Sequence, residues 1–240
     1  MNENDSKPRR FWKAAAVGPH GEAGFTILLD GRPALTPRRA RLALPTRALA
    51  QLVAHEWDDV GEYLELATMP LTRLAFTAID RVSKAREAVA DEVARYAAAD
   101  ALCYFADTPA KLVERQIERW GPMLDWAERD LGLTFERATG ILHKPQPEAT
   151  VARVRELALD LDDFALTGLT WATSLFGSAI LAFAVLKGEL DAVTAFDLSR
   201  LDERFQVEQW GEDAEAAERA KAMGEDAISV GKWLDAADAP

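Results

Sequence analysis

From Phe164 to Leu186 the chain runs 23 residues without a charged side chain. So apolar a stretch has two physical outcomes. It crosses a bilayer, which takes about 20 residues, or it forms the centre of a helical core, where a helix can be apolar all round. This run also carries Thr167, Thr170, Thr173, Ser174 and Ser178, with Gly168 and Gly177, and Asp160, Asp162 and Asp163 stand just before it. Small residues on such a helix let neighbouring helices approach closely, in water as in lipid. The expectation is a buried central helix without stable membrane insertion. A chain of 240 residues with 49% apolar content has enough material for the core around it, in one domain or two small ones.

The first 45 residues have a different texture. Phe11–Val17 is a short apolar run ending at Gly18-Pro19, Gly21–Gly24 is turn material, and Phe25–Leu29 is rich in β-formers. Asp30-Gly31 is a strong two-residue hairpin signal. Arg32–Leu35 reads as the returning strand and Leu42–Leu44 as another. Thr46 then serves as the N-cap of a helix whose Leu49, Leu52, Val53 and Trp57 fall on one face. Tyr63–Leu66 reads as one more short strand.

From Met69 onward the pattern is nearly continuous helix. Pro70 suits a first helical turn, where its missing N–H costs nothing. Helices are expected over Pro70–Val82 and Glu87–Ala99, continuing into Ala101–Phe105, and then over Ala110–Leu131, Val151–Leu161, Phe164–Leu186 and Asp191–Trp210. Gly132–Gly140 reads as a break with a short extended piece, and Lys144-Pro145-Gln146-Pro147 as the clearest linker-like loop. Glu212–Trp233 is acidic and Ala-rich, which predicts a helix near the surface. The fold class is therefore α+β: an N-terminal small antiparallel sheet with a helix over residues 1–70, and a C-terminal helical domain over 71–240. One internal echo stands out, Gln116-Ile117-Glu118-Arg119-Trp120-Gly121 against Gln206-Val207-Glu208-Gln209-Trp210-Gly211. Six residues are too few for a duplication. They predict one shared local solution, with Trp packed inside and Gly ending or bending the helix.

The chain carries 40 acidic against 28 basic residues, a net charge of −12, so phosphate-rich nucleic acid is a poor partner. The imbalance is polarised. Residues 1–50 hold nine basic and four acidic groups, whereas 202–240 hold four basic and eleven acidic. Such a molecule can steer a charged partner, although a solvated acidic helix accounts for it equally well. Cys103 is the only cysteine, which fits a reducing compartment, and the polar start with Glu3 and Asp5 resembles neither a secretory signal nor a mitochondrial presequence. The expected location is the cytoplasm.

A search for chemistry returns little. His20, His55 and His143 are too far apart in sequence for a ligand motif, so no metal is expected. Cys103 sits in Leu102-Cys103-Tyr104-Phe105, an apolar surround that makes a thiol inert. No nucleophile elbow occurs, and the glycines are spaced for neither a P-loop nor a dinucleotide turn, so no cofactor is expected. What remains is a carboxylate cluster around Trp210: Asp202, Glu203, Glu208, Glu212 and Asp213. Glu208 and Glu212, four apart, are expected on one helix face. Close carboxylates can split their pKa values and do acid–base work. The other readings are a solvated face or an acidic partner-binding patch, the latter favoured by Phe205 and Trp210 beside the charges.

The string Met69-Pro70-Leu71-Thr72-Arg73-Leu74-Ala75 is uncommon, and other fragments accompany it in order. These are Phe25–Arg32, Leu35-Thr36-Pro37, Leu44-Pro45-Thr46, Ala54-His55-Glu56-Trp57, Asp100–Tyr104, Pro109–Gln116 with Trp120, Leu124-Asp125-Trp126 and Gly140-Ile141. Gly177-Ser178, Leu201-Asp202-Glu203, Gln206 and Trp210-Gly211-Glu212-Asp213 complete the series. Together they resemble the assembly chaperones of ATP synthase that hold the free alpha subunit of the catalytic head, and the chain looks like a bacterial member. The resemblance implies two domains, no catalytic site, no nucleotide, and a partner, the alpha subunit, that is released when a beta subunit replaces the chaperone. It also implies an important acidic residue in the C-terminal domain, best matched by Glu203, Glu208 or Glu212. Trp57, Met69, Pro70 and Arg73 match family positions, with Trp57 also readable as a core residue and Arg73 as a helix-end charge partner. Phe76 stands where the pattern has Asn, and Phe105 where it has Arg. A monomer is expected. The alternative is an enzyme of unknown reaction using the carboxylate cluster.

Overall fold

The computed structural model describes residues 7–22, 24–140 and 144–239. Glu3, Asp5, Ile141 and His143 lie outside the described residues. Strands β1 (Ala15–His20) and β2 (Gly24–Leu29) pair antiparallel, with Ala15 opposite Leu29 and His20 opposite Gly24. At the predicted reversal Asp30 and Gly31 have φ of 48° and 82°, both left-handed, as a tight two-residue hairpin requires. The Asp30 carboxylate accepts the backbone N–H groups of Lys13 (3.0 Å) and Ala14 (3.1 Å), and these bonds hold it below its ordinary pKa. β3 (Arg32–Pro33) and β4 (Ala43–Leu44) both pair with the other edge of β2. The expected strand at Tyr63–Leu66 is reduced to one bridge with Arg9 and a 3-10 turn over Leu66–Thr68. Its backbone is engaged by the start of the chain instead: Arg10 N–H donates to Glu62 (3.0 Å) and Leu64 N–H to Pro8 (2.8 Å).

α1 (Arg47–Asp58) packs on β1 and β2. Thr46 caps it as predicted, its hydroxyl oxygen accepting the Leu49 N–H at 3.1 Å. The predicted face is buried at Leu49, Val53 and Trp57 and completed by Ala50 and Ala54, while Leu52 stays partly exposed. The Trp57 ring lies 5.1 Å from that of Trp12, whose indole N–H donates to the Trp57 carbonyl (3.0 Å).

α2 (Pro70–Asp80) starts at Pro70. Two of its first N–H groups, on Leu71 and Thr72, donate to the Glu56 carboxylate of α1 at 2.9 and 2.7 Å. A carboxylate at a helix N-terminus satisfies orphan donors and opposes the macrodipole. Here it also binds the fragment Ala54–Trp57 to the fragment Met69–Asp80. At the other end buried Asp80 accepts from the Thr36 hydroxyl (2.8 Å) and the Arg38 N–H (3.1 Å), which docks the loop after β3 onto α2.

The remaining helices are α3 (Arg86–Ala97), α4 (Ala110–Leu131), α5 (Glu148–Leu159), α6 (Asp163–Phe176), α7 (Ala179–Leu186), α8 (Ala192–Ser199), α9 (Leu201–Trp210) and α10 (Ala214–Ala237). Ala101–Phe105 does not continue a helix as expected. It makes one 3-10 turn and then β5 (Tyr104–Phe105), which pairs in parallel with β6 (Ala138–Thr139) in the short extended piece expected there. The core is one contiguous apolar cluster running from Trp12 to Ala236.

The charge-free run is two helices, not one. Gly177, at φ 64°, turns the chain, and the Ser178 side chain caps α7 by accepting from Leu181 N–H (3.1 Å). The break is held by Asp100. Its fully buried carboxylate accepts the N–H groups of Leu102 and Ile180, both at 3.1 Å, and bonds Ser178 as well. Burial pushes its pKa up to about 6 despite those bonds. Every residue from Ala179 to Val185 is buried, and among the described residues no helix is long and apolar enough to cross a membrane. Gly168 marks a close approach: a Cβ there would stand 2.6 Å from the Trp233 ring and 2.5 Å from Leu234.

Three further expectations are corrected. Asp191–Trp210 is divided at Arg200 into α8 and α9, where the Leu198 carbonyl accepts the indole N–H of Trp120 at 2.9 Å. The acidic terminal helix is a surface element only in its first half. From Ala227 on it buries Val230, Gly231, Trp233 and Leu234, and the Trp233 N–H donates to the Phe164 carbonyl (2.9 Å). Its acids lie on the outward positions, so average composition hid an inward stripe. Third, Glu212 follows the end of α9 and does not share a helix face with Glu208.

Candidate functional site

The expected site residues lie where α9 packs on α4 and where the chain turns from α9 into α10. α9 buries Leu201 and Phe205 and turns the rest of its surface outward. Arg115 of α4 reaches across to Glu208, one guanidinium nitrogen on each carboxylate oxygen at 2.8 and 2.9 Å, while its charge stands 5.2 Å from the centre of the Phe205 ring. The bidentate pair keeps Glu208 ionised and below its ordinary pKa. Behind it Gln116, fully buried, accepts the Ala106 N–H (2.8 Å) and donates to Asp202 (2.7 Å). Burial raises the Asp202 pKa, and the Gln116 bond opposes that rise.

Glu203 pairs with Arg200 at 3.0 Å. α9 ends at Trp210 because Gly211, at φ 88°, leaves the helical region. Asp213 then caps α10, accepting the Ala216 N–H at 2.8 Å. Glu212 is exposed between the two helices. Among the described residues each carboxylate of the cluster except Glu212 therefore has a partner of its own, and only Asp202 and Glu203 act on each other, the Glu203 charge adding to the rise of the Asp202 pKa. The prominent feature of this corner is apolar: Trp210 is 80% exposed, with Val207 exposed one turn before it. A large aromatic left in water beside ion pairs has the composition of an interface centre with a polar rim.

The other motif residues are mostly structural. Trp57 and Met69 are buried, and Pro70 opens α2. Arg73 is exposed on α2 and faces Asp226 electrostatically. Cys103 is buried, and burial pushes its thiol pKa up, consistent with an inert side chain. Phe105 is buried with its ring 5.9 Å from Trp120, so that departure from the family pattern adjusts packing, whereas Phe76 is only partly buried. Sequence reasoning missed Arg115, since no local pattern shows that it meets Glu208 from 93 residues away.

Comparison with known proteins gives the family and the fold. The family model described as ATP12 chaperone protein matches residues 9–128. The mitochondrial protein atp12 of Schizosaccharomyces pombe is 30% identical over 221 residues, covering 86% of this chain and 75% of the relative. The chain belongs to the ATP12 chaperone family. Solved structures carry the likeness over the whole fold. The crystal structure of Atp12 from Paracoccus denitrificans superposes with a TM-score of 0.90 at 39% identity, covering 95% of this chain and 98% of that one. The Agrobacterium tumefaciens protein Atu1473 superposes with a TM-score of 0.89 at 41% identity, covering 95% and 86%. The ATP12 family match is the one implied by the resemblance to ATP synthase assembly chaperones, and the small antiparallel sheet followed by helices is the fold of the Atp12 structures.

Proposed function

We propose that this chain binds the unassembled alpha subunit of the ATP synthase catalytic head and holds it until a beta subunit takes its place. The observation that carries the reading is the α9–α10 corner, where Trp210 stands 80% exposed in a chain of the ATP12 chaperone family. A subunit of an obligate ring exposes a large apolar interface while alone, and that surface aggregates unless covered. Covering it requires an apolar anchor with a charged rim. Trp210 and Val207 supply the anchor, and Glu203, Glu208, Glu212 and Asp213 the rim. The enzyme alternative needs two carboxylates free to exchange protons; Glu203, Glu208 and Asp213 are each tied to a separate partner, and Asp202, although Glu203 acts on it, is bonded to buried Gln116.

In this reading the protein acts as a cytoplasmic monomer built of a 1–70 unit and a 71–240 unit, both available to the client. The test is co-expression with the alpha subunit of the same organism, followed by purification with and without beta. A complex that beta displaces is expected, weakened by Trp210→Ala and by Glu208→Lys. If alpha is equally soluble without this chain and no complex forms, the reading fails.

A further inference from the structure

The run Met69–Asp80 builds more than core. α2 turns Leu71, Thr72, Ala75 and Ala78 inward. Its opposite face, with Arg73 and Leu74, forms one side of an open groove of about 570 Å³ that continues past the helix to Arg81. Val89 of α3, Trp171 of α6 and Asp226 of α10 line the rest. Leu74, Val89 and Trp171 are only partly buried, so the groove presents apolar surface to solvent. Its volume suits the side chains of one segment rather than a folded domain.

The lining carries two acids, Glu92 and Asp226, and two guanidinium groups, Arg73 and Arg81; Glu92 is paired with Arg95 at 3.8 Å, outside the groove lining. Among the described residues Arg86, Arg115 and Arg155 each hold a carboxylate within ion-pair distance, whereas Arg73 and Arg81 hold none. Arg73 feels Asp226 only at longer range. Beside Arg81, the Asp80 carboxylate anchors the loop that carries Arg38 and Arg39, whose guanidinium groups hold no carboxylate within ion-pair distance among the described residues. At the end of α2 the groove therefore offers the guanidinium of Arg81, unpaired among the described residues, beside an apolar lining. A guanidinium over apolar surface selects a carboxylate it can bind through two nitrogens, and that selection also speeds encounter.

We propose that this groove is a second client contact, and that it takes one apolar segment of the unassembled alpha subunit carrying an acidic residue. The carboxylate meets Arg81, and the apolar side chains lie against Leu74, Val89 and Trp171. The inference rests on the alpha-subunit reading above.

The test replaces Ala88, an exposed residue lining the groove, with a photo-crosslinking phenylalanine in the full chain co-expressed with the alpha subunit. Irradiation is expected to give an adduct with alpha, mapped by mass spectrometry to an apolar segment containing Asp or Glu. Ala88→Trp, which fills the groove, and Arg81→Glu should each weaken the complex about tenfold without shifting the unfolding midpoint. Arg81→Lys should lose less, and higher salt should weaken the wild-type complex. If the wild-type complex forms but Ala88 gives no adduct and both variants bind normally, the groove is overturned while the client reading stands. An adduct with a second copy of this chain also overturns it. If the wild type forms no complex with alpha, the client reading fails and the groove proposal falls with it.

Discussion

Gln116–Gly121 and Gln206–Gly211 spell almost the same six residues and end in opposite environments. In the first, Gln116 is fully buried and bonded on both sides, Trp120 is 4% exposed with its N–H on Leu198, and α4 runs on through Gly121 and Pro122. In the second, Gln206 is exposed, Trp210 is 80% exposed, and the helix ends at Gly211. The hexapeptides do not decide this. α4 is covered by α9 and the end of α8, which supply Asp202 and the Leu198 carbonyl, whereas among the described residues Arg204 and Gln206–Trp210 on the far side of α9 stay exposed. One copy serves as core and the other is left as surface, which is why only the second is available to a partner.

The sharpest way to break this contrast is to remove each tryptophan. Trp120→Ala should cost about 3–5 kcal/mol, through lost packing and an orphaned carbonyl. Trp210→Ala should stay within about 0.5 kcal/mol of wild type while weakening the proposed alpha-subunit complex. Denaturant unfolding of the two variants checks it, and equal losses would mean that Trp210 is covered in solution.

The next effect concerns interior against surface carboxylates. Asp100 has its folded pKa raised by burial from an ordinary 3.8 to about 6. Folding therefore favours its protonated form, so this contribution is present in full below the unfolded value and is lost as pH rises through about 6. The span corresponds to about 3 kcal/mol. Asp100→Asn should lack that fall between pH 4 and 6 when its stability is compared with wild type. Glu208→Gln should keep the fall between pH 4 and 6, because Asp100 is intact and Glu208 is exposed.

A smaller difference separates the two glutamines. Gln116→Leu strands the Ala106 N–H and deprives Asp202 of its donor, for about 2–3 kcal/mol. Gln206→Leu should be neutral by the same unfolding assay. Smallest of all, Arg115→Ala breaks an exposed pair. It should leave the unfolding midpoint in place and appear only as weaker, more salt-sensitive client binding.

Local chemistry was legible wherever one segment satisfies itself. Thr46 as a cap, Asp30-Gly31 as a hairpin, Pro70 as a helix start and the inward face of α1 all follow from a few adjacent residues and their backbone preferences. So did the family, because its fragments keep their order along the chain. The candidate site was half legible. The carboxylates and Trp210 could be named, yet their partners Arg115 and Gln116 come from 86 to 93 residues away, at separations that periodicity does not report.

What the sequence determined by itself is the order of elements, the amphipathic faces and the presence of a core-forming run too apolar to stand in water. The tertiary structure decided where that run breaks, because Asp100 reaches from another element to cap α7 beside Gly177. It likewise decided which Trp-Gly copy is buried and that the second half of α10 is core. Burial is a property of what packs against a residue, and hydrogen-bond donors left over in one segment are satisfied by whichever distant side chain the fold brings to them.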